Sequence, residues 1–222
     1  MKKYISNLIA TSFLVAFIAG CAEPQVYDYS EFLQSKPRSI LIMPPQNESL
    51  EPKAAAAVLA HAVQPLCEAG YYVFSPALTT ETFNQNGILD GFEAKNVSLT
   101  KLRQIFAPDA VLYLDVKTYG TSYAVLNSES VVSLSATLVS TETGKTLWEK
   151  SASARSDSSS GNNNIIGMLI SAAITQVSDT LSERSYALSK QAEGELFATN
   201  CNDCILYGPR SPNFGRDSQL HK

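Results

Sequence analysis

The chain has 222 residues, 45% of them hydrophobic, with 17 Lys and Arg against 21 Asp and Glu for a net charge of −4. That length suits one domain with a packed core, or one domain with a long tail. The acidic balance argues against nucleic acid as a partner, because phosphate neutralisation needs a clustered basic face.

Lys2 and Lys3, the apolar run from Leu8 to Ile18 and the small residues before Cys21 make the three parts of a secretory signal. A membrane-spanning helix needs roughly 20 apolar residues, so residues 1–20 read as a processing element. Ile18-Ala19-Gly20-Cys21 resembles the bacterial lipobox. That resemblance implies a diacylglycerol on the Cys21 thiol and cleavage before it. An ordinary secretory signal with a chance cysteine is the competing reading. Without residues 1–20, which hold two lysines and no acid, 15 basic residues face 21 acidic ones and the net charge is −6. Residues 21–37 are expected to tether the lipid to the domain. Ala22 stands where an aspartate would hold such lipoproteins in the inner membrane. The expected location is therefore the periplasmic face of the outer membrane, with surface exposure left open.

The α/β domain is expected over 38–199. Residues 39–45 form a continuous apolar run ended by two prolines, which suits a strand buried on both faces. A helix follows, with Ser49 near its cap, an alanine-rich body over 54–63, Pro65 as a kink or restart, and Gly70 as the stop. Residues 71–74 read as a second strand cut by Pro76, and the crossover makes the two strands parallel. Helical patterning over 79–107 comes in two pieces, the second placing Leu99, Leu102, Ile105 and Phe106 on one side. Residues 109–116 look like a central strand.

Val132, Leu134, Ala136 and Leu138 alternate with serines and threonines, the pattern of a half-buried antiparallel strand. A turn over 141–145 with Gly144 leads to a partner strand over 146–150. Residues 156–164 are a polar loop by composition. Apolar residues from Ile166 to Leu181 recur at helical spacing, and Gly167, Ser171 and Ala172 would let another backbone approach closely. More helix is expected over 189–197. Residues 200–222 are expected to form an irregular tail, on the surface or trailing from it.

The motifs ILIMPPQNES, PLCEAGYYVF, TTETFNQNGI, DAVLYLDVKTYGTSY and TGKTLWEK together resemble a family of bacterial lipoproteins of unassigned function. Their domain is similar to the amino-terminal domain of TolB, and the resemblance covers roughly residues 38–190. It implies an α/β (α+β) fold: a mixed β-sheet, two main helices packed on one face, and an antiparallel hairpin at the edge. Members tend to be encoded beside lipoproteins related to the curli channel CsgG. That implies an accessory role in a cell-envelope assembly and carries over no enzymatic residue, cofactor or metal.

Catalysis has little to work with. There is no HExxH, GxSxG or phosphate-cradling glycine loop. The histidines after the signal are His61, inside the alanine-rich helix, and His221 near the end. Asp109, Asp115, Glu68 and Glu93 would have to meet in space to act as paired carboxylates. Asp115 interrupts an apolar strand and is expected to be solvated or hydrogen-bonded.

Cys201 and Cys204 in CNDC could close a small disulfide loop, leaving Cys67 as a buried helix thiol. Redox work by such a pair usually needs a helix start in a thioredoxin-like unit. Zinc wants four ligands, and His221 is the only obvious third. The favoured function is a membrane-anchored interaction module that docks an envelope protein, such as a CsgG-like lipoprotein, or a second copy as a homodimer. Its candidate surfaces are the hairpin edge with Trp148, Tyr119 and Tyr123, and the small-residue helix with Gly167 and Ser171. Trp148 filling the core is the competing reading there. The alternatives are a carrier of a lipid or other apolar ligand, and a cell-envelope hydrolase.

Overall fold

The computed structural model describes residues 27–123, 128–157 and 181–221. Cys21, Gly167, Ser171 and most of the helix expected over 166–181 lie outside these residues.

Strand β1 (Ser39–Ile42) is buried on both sides, with Ile40 and Ile42 in one core cluster and Leu41 in a second. This explains its unbroken apolar run, since a strand covered on both faces has no polar side to show. It pairs in parallel with β3 (Tyr72–Val73) and with β4 (Ala110–Tyr123), as the crossover requires. A two-residue β2 (Gln46–Asn47) adds to β4 in parallel further along. Strands β5 (Ser128–Ser140) and β6 (Thr146–Asp157) continue the sheet antiparallel, in the order β3-β1-β4-β5-β6. Gly144, at φ 71°, serves the turn between them.

Among the described residues, a short helix, α1 (Ser30–Ser35), precedes β1. Helix α2 (Ala54–Glu68) supplies the β1–β3 crossover, and Pro65 sits inside it without ending it. Gly70, at φ 99°, makes the exit. The 79–107 stretch forms three short helices instead of two: α3 (Pro76–Gln85), α4 (Gly91–Lys95) and α5 (Leu99–Phe106). Asp90 and Ser98 accept backbone N–H bonds from Glu93 and Lys101, so α4 and α5 each have their own N-cap. Helix α6 (Leu181–Leu196) comes last.

The two main helices, α2 and α6, pack on one sheet face over a core that includes Leu112, Leu134, Leu138 and Leu188. On the other face, α3, α4 and α5 place Phe83, Ala94 and Leu102 over Leu41, Met43 and Val111. The result is the expected mixed α/β fold. Among the described residues no helix is long and apolar enough to cross a membrane.

Two expected boundaries change. The described part of the tether, 27–37, belongs to the fold: Tyr29 and Phe32 are buried in the main core, and the Tyr29 hydroxyl donates to the Cys204 carbonyl. The tail beyond 200 does not trail. Cys204, Ile205 and Leu206 are buried, and Thr199 bridges to Ile205. Gly208 N–H donates to the Ala69 carbonyl at 2.8 Å, and the Tyr71 hydroxyl donates to the Leu206 carbonyl at 2.5 Å. The Pro- and Gly-rich composition concealed a short apolar run, Ile205-Leu206-Tyr207, that seals one end of the core.

Candidate functional site

Two of the expected docking aromatics, Trp148 and Tyr119, are buried in the core. Trp148 is fully buried, with its ring 6.2 Å from that of Phe197, and its Nε1–H donates to the Asp203 carbonyl at 2.9 Å. It is a core residue because it pairs with Leu138 on the face that Val132, Leu134 and Ala136 bury, and the register shift beside it buries the neighbouring Leu147 as well. Tyr119 is also buried, under α2 and α6. Tyr123 ends β4, and its side chain lies outside the described residues. Cys67 is an exposed thiol and not a buried one.

The four carboxylates do not meet, and each serves a different partner. Asp109 accepts from the backbone of Arg38 and Ser39 and anchors the start of β1. Asp115 pairs with Lys95 at 3.3 Å, as its half-buried strand position favours. Glu68 accepts from Gln64, and Glu93 accepts from Leu89 N–H.

Three features of the described surface remain. The first is a crevice of about 350 Å³ between α2 and α6, lined by His61, Gln64, Glu68, Tyr186, Lys190 and Glu193 among others. His61 Nδ1 lies 3.1 Å from Ser189 Oγ, and that hydroxyl donates to the Tyr186 carbonyl at 2.8 Å. Ser189 therefore accepts, and the proton sits on Nδ1. Burial, aided by the Lys190 charge, holds the His61 imidazole below its ordinary value, which keeps it neutral.

Glu193 is 1% exposed, and neither carboxyl oxygen has a hydrogen-bond partner. His61 Nδ1 comes only to 3.7 Å of Oε1. Burial pushes the Glu193 carboxyl up to about 9, so it is a neutral acid at pH 7. A Ser-His-acid relay needs the serine and the acid on opposite ring nitrogens. Here both face Nδ1, so the group cannot relay a proton in that way. Sequence reading passed over Glu193. Its one signal was an acid beside Ala192 on the apolar face that Leu188 and Leu196 continue.

The second feature is the CNDC loop. Cys201 and Cys204 are joined by a disulfide; Cys201 is exposed and Cys204 fully buried. Lys150 reaches from β6 to place Nζ 3.6 Å from Cys201 Sγ, 3.5 Å from Cys204 Sγ and 3.0 Å from Asp203 Oδ1. The two sulfurs and the Asp203 carboxylate are metal-ligand types lying close together. The ammonium beside them opposes a cation.

The third is the sheet face turned away from α6. Strands β5 and β6 run 13 and 12 residues. Ser133, Ser135, Ser151 and Ser153 line that face, with the Ser133 and Ser153 hydroxyls 2.9 Å apart. Among the described residues no strand pairs with the outer edge of β6, although α1 contacts that strand. Tyr27 reaches that edge at one point, where its hydroxyl accepts from Glu149 N–H.

Comparison with known proteins follows this architecture. The crystal structure of lipoprotein GNA1162 from Neisseria meningitidis superposes with a TM-score of 0.54 at 46% sequence identity, covering 65% of this chain and 100% of that one. A curated relative from Neisseria meningitidis serogroup B, named "Putative lipoprotein NMB1124/NMB1162", is 46% identical over 212 residues, 95% of this chain and 97% of its own length. Neither name states an enzymatic activity. The family model described as "Putative lipoprotein GNA1162-like" matches residues 27–210, and the chain belongs to that family.

Proposed function

We propose that this protein is a lipid-anchored component of the cell envelope that acts by docking another envelope protein and not by catalysis. The observation that carries the reading is the solvent-accessible serine pairs Ser133–Ser153 and Ser135–Ser151 of β5 and β6, beside an outer edge of β6 that no other described strand pairs with. A strand edge offers regularly spaced N–H and C=O groups to an incoming strand. The hydroxyl rows beside it lie between Glu149 and Arg155, so a partner can match both hydrogen bonds and charge there. In this reading the partner is a CsgG-like lipoprotein or a second copy of this chain, as the sequence motifs' resemblance to the TolB amino-terminal domain implies.

Anchoring is assigned to Cys21, and the Ala22 that follows it favours the periplasmic face of the outer membrane. A lipid tether confines the domain to a thin layer and raises its effective concentration toward neighbours there, so a weak interface suffices. The apolar hollow beside Phe32, Leu206 and Phe214 is only about 70 Å³. Ligand pockets run from roughly 300 Å³ upward, so that hollow lends no support to the lipid-carrier alternative.

Two measurements test the proposal. Replacing Cys21→Ser should abolish labelling by a fatty acid analogue, and label retained on the variant would remove the anchor assignment. A photo-crosslinking side chain at Ser151 or Ser153, in intact cells, should capture a discrete envelope protein or a second copy, while the same group at exposed Lys53 captures neither. Capture only at Lys53, or turnover of peptidoglycan or lipid by the purified protein, contradicts docking through this face.

A further inference from the structure

We propose that the Cys201–Cys204 pair is a thiol–disulfide exchange site that accepts two electrons from a dithiol substrate. Four observations support this. The two sulfurs differ in access: Cys201 is exposed and Cys204 is fully buried, so an incoming thiolate reaches only Cys201. Lys150 Nζ stands 3.5 Å from Cys204 Sγ on a side chain only 12% exposed, fixing a positive charge beside the sulfur that must leave.

The loop is also held from outside the disulfide. Trp148 Nε1–H donates to the Asp203 carbonyl, and both the Tyr29 hydroxyl and Gln219 Nε2 donate to the Cys204 carbonyl. The two thiols therefore stay close after reduction, ready to re-form the bond. Finally, the bridge spans a sequence separation of three, a loop too short to restrict the unfolded chain much.

The exchange balances in two steps. A substrate thiolate attacks Cys201 Sγ; the Cys201–Cys204 bond breaks, a mixed disulfide forms at Cys201, and Cys204 departs as a thiolate facing the Lys150 ammonium. The second substrate thiolate then attacks the substrate sulfur of the mixed disulfide. The substrate leaves as a disulfide, oxidised by two electrons, and Cys201 leaves as a thiolate that takes a proton from water. A neighbouring cation lowers a thiol's pKa, and a better leaving thiolate speeds exchange. Asp203, with its side chain half-exposed, shares the Lys150 charge and moderates this effect.

The test uses the purified full chain, with dithiothreitol as the dithiol and mass spectrometry after alkylation as the readout. The disulfide should open in the native protein without denaturant. Lys150→Met should slow opening about three- to tenfold, because the departing Cys204 thiolate loses the ammonium beside it. Lys150→Arg should stay near the native rate and Asp203→Asn should exceed it. In a glutathione redox buffer the reduced fraction of Lys150→Met should fall in the same sense. The double variant Cys201→Ser/Cys204→Ser should melt within a few degrees of the native protein. Opening only in denaturant, equal rates for native and Lys150→Met, or a large loss of stability in the double variant would overturn the proposal in favour of a structural bridge. Uptake of one zinc ion by the reduced protein would overturn it in favour of a metal site.

Discussion

Stability should fall as pH rises from 7 to 9, and Glu193→Gln should abolish that fall. The folded chain keeps the Glu193 proton up to about pH 9, whereas the carboxyl's ordinary value is 4.5. Between those values the folded state binds more protons than the unfolded one, so unfolding free energy declines with pH. The contribution is complete below the ordinary carboxyl value and is lost as pH passes the folded value. The limiting slope is about 1.4 kcal/mol per pH unit and halves as pH reaches the folded value, for a loss of roughly 2 kcal/mol between pH 7 and pH 9. His61 has the opposite sign: burial lowers its value, so the unfolded state binds the extra proton around its ordinary 6.5. Working above pH 7 therefore isolates the acid.

Urea titrations at pH 7, 8 and 9 read the slope directly. Glu193→Gln keeps the side chain's shape and removes its titration. Glu193→Met also removes the two unpartnered oxygens, and should raise stability at every pH because an unpaired buried polar group costs about 1–3 kcal/mol. Parallel slopes for the native protein and Glu193→Gln would mean that the carboxyl is not held neutral by the fold.

What could be read from the sequence was whatever follows from local periodicity. The unbroken run at 39–43 means burial on both faces, and alternation through Val132, Leu134, Ala136 and Leu138 means one buried face. The structure has both. The antiparallel register of β5 and β6 followed from the short turn at Gly144. Trp148 keeps that alternation opposite Leu138, so its burial is the core reading the sequence offered beside the docking one, and the register shift next to it accounts for Leu147.

Distant pairings were hidden from such patterns. Glu193 meets His61 across 132 residues, and Lys150 meets the CNDC loop across about 50, so neither spacing carries a local signal. The polar ends of the chain read as tether and tail because few apolar residues mark them. Their contribution is made largely by backbone carbonyls, which composition does not show.

The tail gives the largest expected effect. A chain ending at Thr199 should fail to fold cooperatively, although composition marks 200–222 as dispensable. The truncation removes Ile205 and Leu206 from the core, where full burial of an aliphatic side chain contributes about 1.5–3 kcal/mol. It also removes the carbonyls of Asp203, Cys204 and Leu206, which accept from Trp148, Tyr29 and Tyr71. Each buried donor left without a partner costs about 1–3 kcal/mol. Together these losses rival the roughly 5–15 kcal/mol that holds a typical domain folded.

A point substitution isolates the docking step. Gly208 and Gly70 meet back to back where the tail crosses the exit of α2. A Cβ on Gly208 would stand 2.6 Å from the Gly70 carbonyl oxygen, and one on Gly70 would stand 2.4 Å from Ser211 N, with the added strain of φ 99°. The opposing atoms are backbone and cannot rotate away. Gly208→Ala should therefore cost about 2–4 kcal/mol, in the range of overpacking and backbone strain, and should expose 200–221 to limited proteolysis before the rest of the chain. Thermal melts followed by circular dichroism, with mass mapping of the first cleavage, measure both effects. A 1–199 chain that melts like the full protein, or a Gly208→Ala variant first cut elsewhere, would show that the tail only rests on a domain complete without it.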